Sequence, residues 1–320
     1  MSGVSVVIRS RDEAPRLRLT LASLACQSLP PDEVVVVDDG SADATPDVLQ
    51  AAARLKLIVV RHATPAGRGG AANAGAAAAR GDVLLFLDGD TLAGPDLVAR
   101  HAALHAAAPR RVGRGATWHV RATRWLYDPQ AGTPFPDHAD RLAGLPAAEI
   151  ARMCVTSAQI QTDFAAAVHG RAQPGVYAGV GPRRLYELEM DALTRHPDCA
   201  VLWAAASGSN LSVARADFER AGGFHAGIDS SEHRELALRL CAQGCRMAPV
   251  PDAFSYHLLH RVGWRDPLAD TGWLDVFAAA HPLPEVRLLP RFWAGLADGE
   301  RVPAGERIAS LPALAAAARA

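Results

Sequence analysis

The chain of 320 residues lacks several things. It has no run of about 18 apolar residues, so no membrane-spanning helix is expected. Its opening, MSGVSVVIRSRDEA, turns charged too early for a secretory leader, and a cytoplasmic protein is the expectation. There is no basic excess: 33 Lys and Arg stand against 34 Asp and Glu, for a net charge of −1, which argues against a nucleic-acid partner. Lysine is nearly missing, Lys56 being the one example among arginines, a bias of composition rather than of phosphate binding. The five cysteines include no CxxC pair, so reduced thiols are expected, with Cys241 and Cys245 packed on a helix rather than binding metal. What is present is ordinary for a folded protein: 49% hydrophobic and 21% charged residues, enough for a sizeable core.

The first 125 residues alternate short apolar runs with helical patterns. Strands are predicted at 4–8, 33–37, 57–61 and 83–87. Helices are predicted to open at Pro15, to span 45–54 and 71–80, and to run from Pro95 to about 107. This order implies a mostly parallel sheet whose strand ends carry the ligand. Three of those ends are polar: Arg9-Ser10-Arg11-Asp12, Asp38-Asp39 and Asp88-Gly89-Asp90. In the second half, 128–145 reads as loop, 147–169 as one helix, 184–195 as a helix, 201–206 as a strand, 214–221 as a short helix and 232–243 as an amphipathic helix. Beyond residue 270 the pattern is broken by proline and ends Ala-rich.

Asp88-Gly89-Asp90 is the sharpest local signal. Two carboxylates delivered by a strand onto a turn suit a hard divalent cation that also holds phosphate oxygens; a plain Asp-rich turn has the same pattern. Gly67-Arg68-Gly69-Gly70-Ala71-Ala72 formally fits a dinucleotide fingerprint. It stands several residues beyond its strand, however, and no Gly-Lys-Ser/Thr completes a phosphate loop.

Taken in order, VSVVIRSRDE, EVVVVDDGSAD and GRGGAANAGAAAARGDVLLFLDGDT resemble glycosyltransferase family 2, the inverting nucleotide-sugar transferases of the GT-A fold. Ser207-Gly208-Ser209-Asn210-Leu211-Ser212, Ala221-Gly222-Gly223-Phe224, Glu232-His233-Arg234-Glu235-Leu236 and Pro251-Asp252-Ala253-Phe254-Ser255-Tyr256-His257 continue the likeness across roughly residues 3 to 260. The resemblance implies an α/β, Rossmann-like GT-A domain. Residues 1–125 form its nucleotide-sugar half and 126–275 its acceptor half, with 276–320 as a lid or interface. It implies that Ser10, Asp38 or Asp39, and Arg68 line the nucleoside pocket, that Asp88 meets ribose or the metal's water shell, and that Asp90 ligates Mg²⁺ or Mn²⁺ directly. His257 is the third metal ligand expected, with His260 a substitute.

The family usually has Asp where His233 stands, so the base is His233 or Glu232; if neither acts, the chain is a nucleotide-sugar-binding protein without turnover. An NAD-dependent oxidoreductase is the third reading. The donor expected is a nucleoside diphosphate sugar, UDP first. The acceptor is a hydroxyl or amine on a small molecule, a carrier-bound intermediate, a lipid or a glycan, chosen by residues 126–200 with Tyr127, Phe135, Phe164, Tyr177 and Tyr186. A Gln-x-x-Arg-Trp element of processive synthases is lacking, and a homodimer is left open.

Overall fold

A computed structural model describes residues 3–52, 55–174, 184–260, 271–296 and 302–320. The chain begins β1 (Val4–Ser10), α1 (Ala14–Leu24), β2 (Glu33–Asp38), α2 (Thr45–Ala51), β3 (Leu57–Arg61), α3 (Gly67–Ala78), β4 (Val83–Asp88), β5 (Thr91–Ala93), α4 (Leu97–Ala107) and β6 (Arg111–Val120). A small hairpin, β7 (Leu126–Asp128) and β8 (Thr133–Pro134), leads into four short helices: α5 (Ala139–Ala143), α6 (Ala147–Met153), α7 (Ser157–Thr162) and α8 (Phe164–Ala167). Then come β9 (Gln173–Pro174), α9 (Arg184–Arg195), β10 (Leu211–Ala214), α10 (Arg215–Arg220), α11 (Glu232–Ala242) and β11 (Arg246–Leu258). Helices α12 (Gly272–Ala280), α13 (Pro284–Leu296) and α14 (Leu311–Ala317) follow.

One sheet runs in the order β3-β2-β1-β4-β10-β6-β11-β5, with β9 beside β6. Strands β1 to β4 pair in parallel, as do β6 and β11, while β10 and β5 run antiparallel to their neighbours. The Val- and Leu-rich strands β1, β2 and β4 are buried on both faces, as strands covered by helices on each side must be. Their register sets Ser10 opposite Asp38 and Arg9 opposite Asp88, so three polar strand ends form one row. Strand β11 places His257 opposite Thr91 on β5, and the Leu258 N–H donates to the Asp90 carbonyl at 2.9 Å. The expected α/β, GT-A-like sheet is present.

Four readings need correction. Residues 147–169 are not one helix. Thr156 opens α7 with a capping box to Gln159, and Asp163 opens α8 by accepting from the Ala166 N–H, so side-chain caps restart the helix. Residues 201–206 are not a strand but a buried 3₁₀ turn, Leu202–Ala205, because an apolar run alone does not distinguish the two. The helix expected at 71–80 starts four residues earlier, at Gly67, so the glycine cluster lies within α3. The helix drawn to residue 54 ends at Ala51, and Arg54 lies outside the described residues. Strands from both halves interleave in one sheet, and α12 to α14 join its main core through Phe277, Leu289, Phe292 and Leu311, as a brace on α9 and α11.

Candidate active site

The polar row opens into a cavity of about 610 Å³. Its lining includes Ser10, Asp39, Gly67 and Arg68, then Asp88, Asp90, His257 and His260, and also Tyr127 and Phe135. Asp39 organises its corner: Oδ1 takes the His62 Nδ1–H at 2.7 Å and the Ala66 N–H at 2.8 Å, and Oδ2 takes the Gly67 N–H at 3.0 Å. Gly67 has φ +77°, a conformation that favours glycine, and this turn starts α3 with Arg68 facing the cavity. Asp38, weighed equally with Asp39 from sequence, is not on the cavity wall. It is buried, accepts from the Ser41 N–H at 2.9 Å and faces Arg61 at 3.4 Å, so it shapes the turn.

Gly89 separates the two aspartates for a steric reason. A Cβ there would run into the Glu13 carboxylate and lie 2.8 Å from Ser10 Oγ. The close approach turns Asp88 and Asp90 to different partners. Asp88 Oδ1 pairs with Arg9 Nε at 2.9 Å. Asp90 Oδ2 meets His260 Nε2 at 2.7 Å and His257 Nε2 at 3.1 Å, and its Oδ1 accepts from Thr91 Oγ1 at 3.1 Å. Burial opposes ionisation of Asp90, but the two imidazoles hold its carboxyl well below the usual range. Burial likewise lowers His257, yet the Asp90 charge outweighs it and raises the ring. The His119 ring packs edge-on against His257 at 5.0 Å.

Asp90, His257 and His260 are the group among the described residues whose ligand atoms converge within 4.8 Å. One carboxylate oxygen and two imidazole nitrogens suit Mn²⁺ better than Mg²⁺, which prefers oxygen throughout. The donor set therefore fits a divalent cation. Asp88, expected as a second metal contact, stands outside it because Arg9 takes its carboxylate. His260, expected only as a substitute, stands beside His257 within it.

The base candidates lie behind Arg9 and are not part of the cavity lining. Arg9 Nη1 reaches Glu232 Oε1 at 2.6 Å. Burial would raise the Glu232 carboxyl, but Arg9 and His233 overcome it and keep it ionised. Its Oε2 is buried without a hydrogen-bond partner among the described residues. His233 has Nε2 at 3.0 Å from Arg234 Nη1 and Nδ1 at 3.7 Å from Glu232 Oε1; burial lowers its pKa. A guanidinium only donates, so the His233 nitrogen facing it has no free lone pair.

Of the aromatic residues expected to choose an acceptor, Tyr127 and Phe135 reach the cavity, packed edge-on at 5.8 Å. Phe164 packs against Tyr256 and Tyr186 against Arg114, both internal contacts, and Tyr177 lies outside the described residues. Sequence reasoning passed over Glu13, Arg16 and Asp229, which also line the cavity. Burial and the Asp90 charge push the Glu13 carboxyl well above its usual range. Arg16 donates to the Tyr127 carbonyl at 2.9 Å and sits 5.2 Å from the Phe135 ring centre, pinning the hairpin to α1. The acidic pair Asp12-Glu13 just past β1 was the signal for Glu13.

Residues 5–152 match the family model "Glycosyl transferase family 2". That segment, a little under half of the chain, is thus of glycosyltransferase family 2 sequence. Validoxylamine A glucosyltransferase of Streptomyces hygroscopicus subsp. limoneus is 31% identical over 307 residues, covering 91% of this chain and 59% of that protein. The chain thus spans about three-fifths of the length of that relative. Among solved structures, S. aureus TarS 1-349 in complex with UDP has a TM-score of 0.53 at 18% identity, over 93% of this chain and 67% of that one. The mannosyltransferase PcManGT of Pyrobaculum calidifontis, in complex with GDP-Man and Mn²⁺, gives 0.51 at 18%, over 99% and 74%. At such identity the likeness speaks for the fold, which is the GT-A fold of glycosyltransferases. No helix among the described residues is long and apolar enough to cross a membrane.

Proposed function

We propose that this protein transfers a sugar from a nucleoside diphosphate sugar, UDP-linked, to an acceptor hydroxyl or amine with inversion, assisted by a divalent cation. The observation that carries the reading is the convergence of Asp90, His257 and His260 beside the Ser10–Asp39–Arg68 corner of one cavity. Asp39 and Ser10 would meet the nucleoside and Arg68 its phosphates. Asp90, His257 and His260 would hold Mn²⁺ or Mg²⁺, which supplies positive charge to offset that developing on the leaving diphosphate. Glu232 is the better base of the two candidates, having a carboxylate oxygen without a hydrogen-bond partner among the described residues; release from Arg9 would restore the basicity that the guanidinium now suppresses. Acceptor access to it passes Arg9, whose guanidinium would turn from Glu232 and Asp88 toward the diphosphate. The Tyr127–Phe135 pair would receive the acceptor. A relative named for glucosyl transfer to validoxylamine A supports a small-molecule acceptor, and neighbours holding UDP or GDP-Man support the donor class.

A donor screen that reads nucleoside diphosphate release, followed by NMR of the product's anomeric carbon, tests this. An inverted product with one UDP-sugar is expected. UDP binding without turnover would favour a binding protein, and retention would remove the direct displacement. The oxidoreductase reading gains nothing from the structure, since the glycine cluster is wound into α3.

A further inference from the structure

Arg234 follows His233 on α11 and is almost fully buried, and each edge of its guanidinium is committed. Nε donates to the Ala204 carbonyl at 2.9 Å, Nη2 to Glu189 Oε1 at 3.2 Å, and Nη1 faces His233 Nε2 at 3.0 Å. Glu189 is in turn held by Arg114 at 2.8 Å. The Trp293 ring of α13 lies 4.9 Å from the guanidinium carbon, closing its flat face. Such a side chain has one orientation, and it presents only N–H groups. The charged groups facing His233 are Arg234, Glu232 and Arg9. In a neutral ring, the nitrogen facing Arg234 must carry the lone pair and the other nitrogen the proton. That other nitrogen, Nδ1, points to the Glu232 side. It is buried without a hydrogen-bond partner among the described residues, and a Cβ on Gly208 would lie 3.2 Å from it.

We propose that Arg234, clamped by Glu189, the Ala204 carbonyl and Trp293, is a positioning residue that fixes His233 as the Nδ1–H tautomer, so that His233 turns an N–H toward Glu232, 3.7 Å away, and is not a proton acceptor. The consequence for α13 is direct: the C-terminal helices reach the candidate base through Trp293, Arg234 and His233 rather than by covering the cavity. When Arg9 leaves Glu232 for an incoming diphosphate, Nδ1–H is the nearest donor to take its place. Only the kinetic part of this inference rests on the transferase reading; the tautomer is a property of the folded chain.

¹⁵N-histidine NMR of the full chain at neutral pH, with the His233 signals assigned by their loss in His233→Gln, reads the tautomer without any substrate. Nδ1 in the protonated range and Nε2 in the unprotonated range are expected; the opposite tautomer or an imidazolium overturns the proposal. Arg234→Met is expected to mix the tautomers in a chain whose thermal melting shows that it is folded. Should that variant not fold, Trp293→Phe, a milder loosening of the clamp, is expected to shift the same signals part-way. A fixed tautomer in both would overturn the role of Arg234. In turnover, an Asn amide nitrogen lies near the place of Nδ1 and a Gln amide near Nε2. His233→Asn is therefore expected to keep kcat at least tenfold above His233→Gln, with the acid limb of the pH profile where the parent has it. Equal loss in both, or a lost acid limb, would make His233 the base, a role worth about 10²–10⁴-fold. If the parent chain releases no nucleoside diphosphate from any donor, the transferase reading fails while the NMR result still decides the tautomer.

Discussion

His101 and His105 stand four residues apart on α4, turned inward to Ser212 and Asn210, whereas His257 and His260 stand at the end of β11, turned to Asp90 and the cavity. The inner pair has neutral partners at 2.7 to 2.9 Å, and burial pushes both rings down to about 4. The outer pair shares one carboxylate oxygen, which raises His257 against the pull of burial. The same side chain at similar spacing thus ties β10 to its helix in one place and makes a ligand set in the other. The carboxylate makes the difference: burial lowers an imidazole that has no charged partner, whereas a carboxylate on a cavity wall raises it against the same burial.

The widest break in this comparison is Asp90→Ala. It removes the shared oxygen, and turnover is expected to fall on the order of 10³-fold, since a catalytic cation supplies several kcal/mol at the leaving group. Single-turnover release of UDP measures it, and a loss under tenfold would detach Asp90 from the chemistry. His257→Ala and His260→Ala come next. Each is expected to weaken Mn²⁺ binding by at least about tenfold, as losses around metal ligands do. Electron paramagnetic resonance of free Mn²⁺ reads this, and no change for His260 would restore a site with His257 alone.

The inner pair is tested by stability. With folded values about 4 and an unfolded value near 6.5, the unfolded chain binds more protons through this window, so stability rises with pH and is lost as pH falls from 6.5 toward 4. The loss amounts to about 2 kcal/mol per imidazole by pH 5. Urea melts at pH 6.5 and pH 5 are expected to converge by most of that amount in His101→Asn relative to the parent; parallel curves would mean that the ring binds protons alike in the folded and unfolded chain. Tyr127→Ala, on the cavity wall, carries the smallest effect. It is expected to raise the acceptor KM about threefold to tenfold with the donor KM unchanged, as loss of about 1 kcal/mol of ring contact implies. Equal shifts in both would assign the ring to packing.

Some strands were far easier to read from the sequence than others. Strands β1 to β4 are near-continuous Val, Ile and Leu runs, and each was legible, as was the acidic turn after β4. Strand β6 was not, because Gly113, Arg114, Gly115 and His119 break any apolar pattern. Its glycines are there because a Cβ on Gly115 would collide with Asn210 and the Ala253 carbonyl. The inner histidines were invisible for the same reason, since their partners lie on β10, more than 100 positions away. Asp90 and His257 were named from motif order. The nearness of His260, the diversion of Asp88 to Arg9 and the lone pair of His233 spent on Arg234 are properties of packing, which spacing does not contain.

Calorimetric titration of UDP, with and without Mn²⁺, into the parent chain and into a His257→Ala, His260→Ala double variant tests the central claim most directly. The account expects Mn²⁺ to strengthen UDP binding at least tenfold in the parent and to leave the double variant unaffected. A double variant that binds UDP with Mn²⁺ as tightly as the parent would contradict it.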